Sequence, residues 1–256
     1  MSRSLRRSAV VLAAAAAAVL AGCSAGAAPT PDGAERAPSG DLVVYAAASL
    51  SAAFDAIGDA FTAEHPGVKM SHVYDGSPTL VTQLLEGAPA DVIATADDDT
   101  MAQLDSTAGE PSVFASNTLV IAVPTGNPGD VQTLADLADG VTVLCDAAVP
   151  CGAASATLLE NAGIALEPAS LEQNVTAVLT KVTAGEADAG LVYATDAIGR
   201  DDVETIVPAG AEEVVVRYPI ATLTDARNPG TASAFVNFVL SDAGQAILAD
   251  FGFGTP

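Results

Sequence analysis

Tryptophan is absent from the 256 residues, histidine occurs twice, and lysine and arginine together occur nine times. Each scarcity excludes something. Phosphate-backbone binding needs a surplus of basic side chains, and this chain carries 32 acidic residues and a net charge of −23, so nucleic acid is excluded as a partner. A zinc site needs several His or Cys at close spacing. His65 and His72 stand apart from the cysteines, and no metal-ligating cluster is expected. Catalysis by an activated serine needs a base, and neither histidine sits in a motif suited to one: His65 is in Glu64-His65-Pro66, His72 inside a strand pattern. No Gly-x-Ser-x-Gly elbow frames a serine either, so a secreted serine hydrolase is the weakest of the readings considered. Asp97-Asp98-Asp99 lacks the glycine and terminal glutamate spacing of a calcium loop and reads as the acidic start of a helix. Residues 9–21 form an apolar run too short to span a bilayer, and no internal repeat is present.

What is there begins with an export signal. Arg3, Arg6 and Arg7 precede the apolar run, which ends in Leu20-Ala21-Gly22-Cys23. That ending resembles the lipobox of bacterial lipoproteins. The resemblance implies a signal peptide over residues 1–22 and a lipid on Cys23, anchoring the chain to the cell membrane on its extracytoplasmic side. An ordinary secreted protein with an incidental cysteine is the alternative. Residues 23–40, rich in Ala, Pro and Gly, read as a flexible tether. Outside the cytoplasm disulfides persist, and Cys145 and Cys151 flank a turn containing Pro150. Two free thiols or a metal pair are the alternatives to a bridge; no nearby His or further Cys completes a zinc site, which favours the disulfide.

From Asp41 onward strand and helix patterns alternate, which argues for an α/β architecture with largely parallel sheets. The pivot is Tyr45-Ala46-Ala47-Ala48-Ser49-Leu50. A β-rich run over 42–45 gives way to apolar residues at Leu50, Phe54, Ile57 and Phe61, one stripe of a helix. Ser49 stands at the mouth of that helix, where a serine either caps the free N–H groups or, with the helix dipole, helps them hold an anion. Further mouths follow at Ser77, ahead of Pro78; at Cys151-Gly152; and at Asn174-Val175, where Asn174 is the expected N-cap. Strands are expected at 68–74, 91–96, 118–123, 141–145, 188–193, 203–208 and 213–222, and two helices close the chain. In open α/β sheets ligands gather at the carboxyl ends of strands, where such helices begin.

Seven segments in register carry a family resemblance: Ala46-Ala47-Ala48-Ser49-Leu50, Gly76-Ser77-Pro78-Thr79-Leu80, Gly87-Ala88-Pro89-Ala90-Asp91-Val92, Asn117-Thr118-Leu119-Val120, Val149-Pro150-Cys151-Gly152, Gly190-Leu191-Val192-Tyr193 and Tyr218-Pro219-Ile220-Ala221. Together they resemble the periplasmic molybdate-binding proteins of ABC importers. The resemblance implies the type II, two-lobed periplasmic-binding-protein fold with two crossover strands as hinge. Lobe 1 would comprise residues 41–120 plus 217–256, and lobe 2 residues 121–216. It further implies a monomer that is no enzyme, has no cofactor, and delivers molybdate or tungstate as transported ligand to ABC permease subunits. The implied ligand residues are Ser49 and Ser77 through hydroxyl and N–H, Cys151 and Val175 through backbone N–H, and Tyr193 through its hydroxyl. A fully deprotonated tetrahedral dianion has no proton to give, so a cage of donors without a carboxylate suits it. Three departures stand out. Pro78 removes one N–H, Cys151 is bulkier than the usual alanine, and Asp75, two residues before Ser77, is expected to face solvent or cap its turn. A same-fold binder of another oxyanion, such as sulfate, is the alternative.

Overall fold

The protein, a computed structural model, is described over residues 37–256; the expected signal peptide and the lipid-bearing Cys23 lie outside the described residues. In chain order, β1 (Gly40–Ala47) passes through a 3-10 turn into α1 (Ser51–Glu64), β2 (Val68–Asp75) into α2 (Ser77–Leu85), and β3 (Val92–Ala94) into α3 (Asp98–Ala102). β4 (Ser112–Asn117) and β5 (Leu119–Pro124) follow, separated by Thr118 alone. Next come β6 (Thr142–Cys145), α4 (Pro150–Asn161), β7 (Ser170–Glu172), α5 (Val175–Thr183), β8 (Ala189–Tyr193), α6 (Ala194–Ala197), β9 (Val203–Ile206) and β10 (Val216–Thr222). α7 (Pro229–Leu240) and α8 (Asp242–Asp250) end the chain.

These strands form two five-stranded sheets, ordered β2-β1-β3-β10-β4 and β7-β6-β8-β5-β9. In each, a parallel trio is extended by antiparallel strands. The chain leaves the first sheet at Thr118 and returns to it through β10, so the fold is the two-lobed type II arrangement. The chain is already tied down ahead of Asp41: Ser39 N–H donates to Thr231 Oγ1 (3.1 Å), and that hydroxyl donates to Ser39 O (3.1 Å).

The stripe that marks α1 in the sequence is the heart of the first half. Leu50, Phe54, Ile57 and Phe61 are fully buried. Phe54 meets Phe114 of β4 at a ring separation of 5.6 Å, and Phe61 meets Phe235 of α7 at 5.4 Å. Tilted aromatic pairs add roughly 0.5–1.5 kcal/mol each beyond area burial. The two C-terminal helices therefore complete the core around the first sheet rather than the second.

Two strands escape the sequence patterns, β4 and β7, and residues 213–215 prove not to be strand. Glu213 ends a 3-10 turn, and β10 starts at Val216. Inside β10, Pro219 has no N–H for the ladder, and the register against β4 shifts between Tyr218 and Pro219. Bulges of this kind re-aim neighbouring side chains; here the neighbour is Tyr218, whose hydroxyl reaches Ser49.

Candidate functional site

Ser49, Ser77, Cys151, Val175 and Tyr193 all line a single cavity, together with Asp75, Gly76, Pro150 and Asn174. Residues from both sheets contribute. The cavity is small, with about 20 Å³ open to a water-sized body, far below the roughly 300–1,000 Å³ of drug-sized pockets.

Ser49 does not cap α1. It lies in the 3-10 turn Ala48–Leu50, the N-cap position falls on Leu50, and no side chain caps either segment. Its Oγ instead sits 3.1 Å from the Tyr218 hydroxyl. The serine is spared for the cavity because a tyrosine 169 positions away in sequence engages it. Ser77 is 1% exposed, and its Oγ accepts from Ala96 N–H at 3.1 Å. With the oxygen so occupied, its own proton is free for an acceptor in the cavity.

The second half supplies amides. At the start of α4, Gly152 N–H and Ala153 N–H donate to Val149 O (2.9 and 3.0 Å), and Pro150 has no N–H, which leaves the Cys151 N–H of that first turn. Asn174 is the N-cap foreseen from sequence: its Oδ1 accepts from Ala177 N–H at 2.9 Å. The Val175 N–H just beyond it has no acceptor within the helix. Both helix starts direct the positive ends of their dipoles at this cavity wall.

Tyr193 completes the set. It is 1% exposed, and its hydroxyl has no hydrogen-bond partner among the described residues. Burial holds its pKa well above 10.0, so the group keeps its proton. A buried unpaired hydroxyl costs about 1–3 kcal/mol, and it stands where a cavity-bound acceptor would satisfy it.

Cys145 and Cys151 are disulfide-bonded across six positions. The turn they close is tight: a Cβ on Gly152 would lie 1.9 Å from Asp146 O. The bridge therefore braces the amide of Cys151. In the chain-entropy view so short a loop contributes about 2 kcal/mol. Reduction, or the Cys145→Ser, Cys151→Ser double change, is expected to lower the midpoint of thermal unfolding by about 4–8 °C, read by calorimetry under matched oxidising and reducing conditions.

Asp75 caps its own turn, Oδ1 accepting from Gly76 N–H at 2.7 Å, and does one thing more. The same oxygen accepts from Asn174 Nδ2 at 3.1 Å, tying the first half to the second beside the cavity. Pro78 occupies the first turn of α2, as read from sequence. Neither histidine lines the cavity. His72 lies 3.4 Å from Asp55 and stacks on Tyr74, so the serines have no histidine base beside them. Among the described residues no group of three or more His, Cys, Asp or Glu is placed to hold a metal ion.

Sequence reasoning passes over three residues. Tyr218 was legible as part of a motif but not as Ser49's partner. Asn117 donates from Nδ2 to Thr195 Oγ1 at 2.8 Å and to the Tyr218 hydroxyl at a long 3.5 Å, joining the crossover to α6. Gly76 abuts the backbone of Gln173 from the other half. All three act through contacts distant in sequence, for which no local pattern exists.

Residues 42–254 match the family described as bacterial extracellular solute-binding protein. The chain is 45% identical over 222 residues to the molybdate-binding protein ModA of Mycobacterium tuberculosis, covering 84% of this chain and 85% of that protein. Among solved structures it superposes on the periplasmic molybdate-binding protein of Azotobacter vinelandii with a TM-score of 0.73 at 18% identity, covering 84% of this chain and 99% of that one. It superposes on the sulfate-binding protein SubI of Mycobacterium tuberculosis with a TM-score of 0.72 at 19% identity, covering 83% and 86%. These two structures share the fold. A cavity lined mainly by donors, set between two lobes, agrees with the family that the sequence matches: this chain belongs to the bacterial extracellular solute-binding proteins, which bind solutes and are not enzymes.

Proposed function

We propose that the protein captures molybdate, and with it tungstate, and delivers the ion to an ABC permease, with Ser49, Ser77, Cys151, Val175 and Tyr193 as the donors. The observation that carries this reading is the unpaired, buried Tyr193 hydroxyl on the same cavity as two serines and two helix-start amides. Each is a proton donor. A dianion without a proton of its own satisfies all of them, and each hydrogen bond to a charged group contributes about 1.5–3 kcal/mol. The one carboxylate on the wall, Asp75, has Oδ1 engaged by Gly76 and Asn174. The 45% identity to a molybdate-binding protein supports the choice of ion. Tungstate has nearly the same size and charge and is expected to bind comparably. Sulfate, with shorter bonds to oxygen, would leave donors of a fixed cage unpaired. The protein works as a monomer, held to the extracytoplasmic face of the cell membrane by a lipid on Cys23 after removal of residues 1–22; the stretch between Cys23 and Ser39 serves as its tether. No cofactor takes part.

Titration calorimetry tests this. Submicromolar binding of molybdate and tungstate, with sulfate and phosphate much weaker, is expected; a preference for sulfate or phosphate would overturn the assignment. Ser49→Ala is expected to weaken molybdate about tenfold or more.

The site should also respond to pH. Burial raises the Asp196 carboxyl from 3.8 to about 7, against the pull of a hydrogen bond from Tyr193 N–H and of Arg200. Its charge is felt by the hydroxyls of both Tyr193 and Tyr218. Above pH 7 the carboxylate opposes an incoming anion; below it the group is neutral. Molybdate affinity is therefore expected to rise as pH falls from 8 to 6, by on the order of 1 kcal/mol or fivefold, and Asp196→Asn should flatten the profile. Because the folded pKa lies above the ordinary value, stability linked to this group is present in acid and lost as pH rises through about 7.

A further inference from the structure

The Ser49 hydroxyl can point its proton two ways, toward Tyr218 or into the cavity, and the surroundings decide between them. Asn117 Oδ1 accepts from Thr118 N–H at 2.9 Å. That bond fixes which end of the amide is which, so the end that faces Thr195 and Tyr218 is the NH2, a donor only. Tyr218 is 0% exposed. Its hydroxyl proton cannot go to Asn117, and its other hydrogen-bond contact among the described residues is Ser49 Oγ at 3.1 Å, which can accept it. Were Ser49 to donate to Tyr218 instead, the tyrosyl proton would be left buried and unpaired, facing the amide hydrogens, at a cost of about 1–3 kcal/mol.

Taking the oxyanion reading of the cavity as its basis, we infer that Tyr218, held in polarity by Asn117, is a positioning residue that takes one lone pair of Ser49 and so biases its hydroxyl towards donating to the ligand, and that this bias favours fully deprotonated oxyanions over proton-bearing ones. The hydrogens run one way: Asn117 Nδ2–H to Tyr218 oxygen, Tyr218 O–H to Ser49 oxygen, Ser49 O–H to the ligand. Ser77 is set the same way by the Ala96 amide, a donor that no side-chain substitution at position 96 removes short of proline. Ser49 alone depends on a side chain for its polarity. Burial pushes the Tyr218 pKa upward, which keeps the proton the bias requires. A ligand such as hydrogen phosphate needs an acceptor for its own proton, and Ser49, with one lone pair taken by Tyr218 and its proton directed at the ligand, serves as that acceptor less well than a free serine.

The test is a double-mutant cycle on the full chain, with molybdate and inorganic phosphate as probes. Tyr218→Phe, Ser49→Ala and the double variant are compared with the parent by calorimetry, phosphate being read by displacement of bound molybdate. Tyr218→Phe keeps the ring among Phe114, Phe253 and Tyr193 and removes only the hydroxyl. It is expected to weaken molybdate about tenfold, and to lower the molybdate-to-phosphate preference by at least about threefold because the freed serine can now accept. In the Ser49→Ala background the same change should have no further effect. Additive losses would mean that Tyr218 acts through packing and would overturn the inference while leaving the site intact, as would an unchanged ion preference. If Ser49→Ala itself leaves molybdate affinity untouched, the reading of the cavity falls and the bias falls with it.

Discussion

Tyr193→Phe is expected to stabilise the ligand-free protein by about 1–3 kcal/mol while weakening molybdate by about 10- to 100-fold. Most changes at a binding site lower both quantities or leave stability alone; opposite signs follow here from one atom. The hydroxyl is buried without a partner among the described residues, so removing it relieves a desolvation penalty that folding otherwise bears. The ring stays, and with it the edge-on contact to Tyr218 at 6.0 Å and the burial of β8. What is lost appears only when an acceptor occupies the cavity. Differential scanning calorimetry without ligand should show a midpoint raised by about 2–4 °C per kcal/mol. The ligand-induced rise, which tracks affinity through mass action, should shrink. A lowered midpoint together with unchanged affinity would mean that the hydroxyl is satisfied inside the protein and has no part in binding.

The residues of this cavity differ sharply in how far the chain announces them. Ser49, Ser77 and Val175 stand where a β-rich or polar run hands over to an amphipathic helix, and Asn174 announces itself as a cap. Tyr193 closes a β-rich run. Such handovers are local events, so periodicity finds them. What periodicity misreads is the job done at each. Ser49 looks like a cap and is not one, because the chain enters α1 through a 3-10 turn and Tyr218 claims the hydroxyl from the far end of the sequence. Asp75 looks like a turn residue and also bridges to Asn174, 99 positions on. The same divide runs through the fold. The long stripe of α1 is legible; β4 and β7 are not. β4 ends in Ala-Ser-Asn and owes its existence to pairing with β10; β7 has three residues and owes its existence to pairing with β6. Contacts between the halves follow from neither propensity nor pattern, and they decide how the donors of one half meet those of the other.

Gly76→Ala should therefore weaken binding by at least about 100-fold, with little change in stability. The backbone at Gly76 has φ −58, ordinary for alanine, so the residue's own half accepts the substitution. The obstacle lies across the cavity: an added Cβ would stand 2.2 Å from Gln173 O and 3.3 Å from Gln173 C. Backbone cannot rotate away as a side chain can, so the two halves must separate by about 1 Å to restore an ordinary contact. That displacement breaks the 3.1 Å bond from Asn174 to Asp75. It also draws the Cys151 and Val175 amides away from the serines on the same cavity, so two or more charge-assisted hydrogen bonds weaken together, each contributing about 1.5–3 kcal/mol. Calorimetry would read the lost affinity, and small-angle scattering with saturating molybdate would read a larger radius of gyration than in the parent. Gly230→Ala supplies the control. It lies in the first turn of α7, where an added Cβ meets nothing within 4 Å, and it should leave affinity unchanged. Equal affinities for Gly76→Ala and Gly230→Ala would show that the halves need not approach this closely for the ion to be held, and the donors of the two lobes would then not act as one cage.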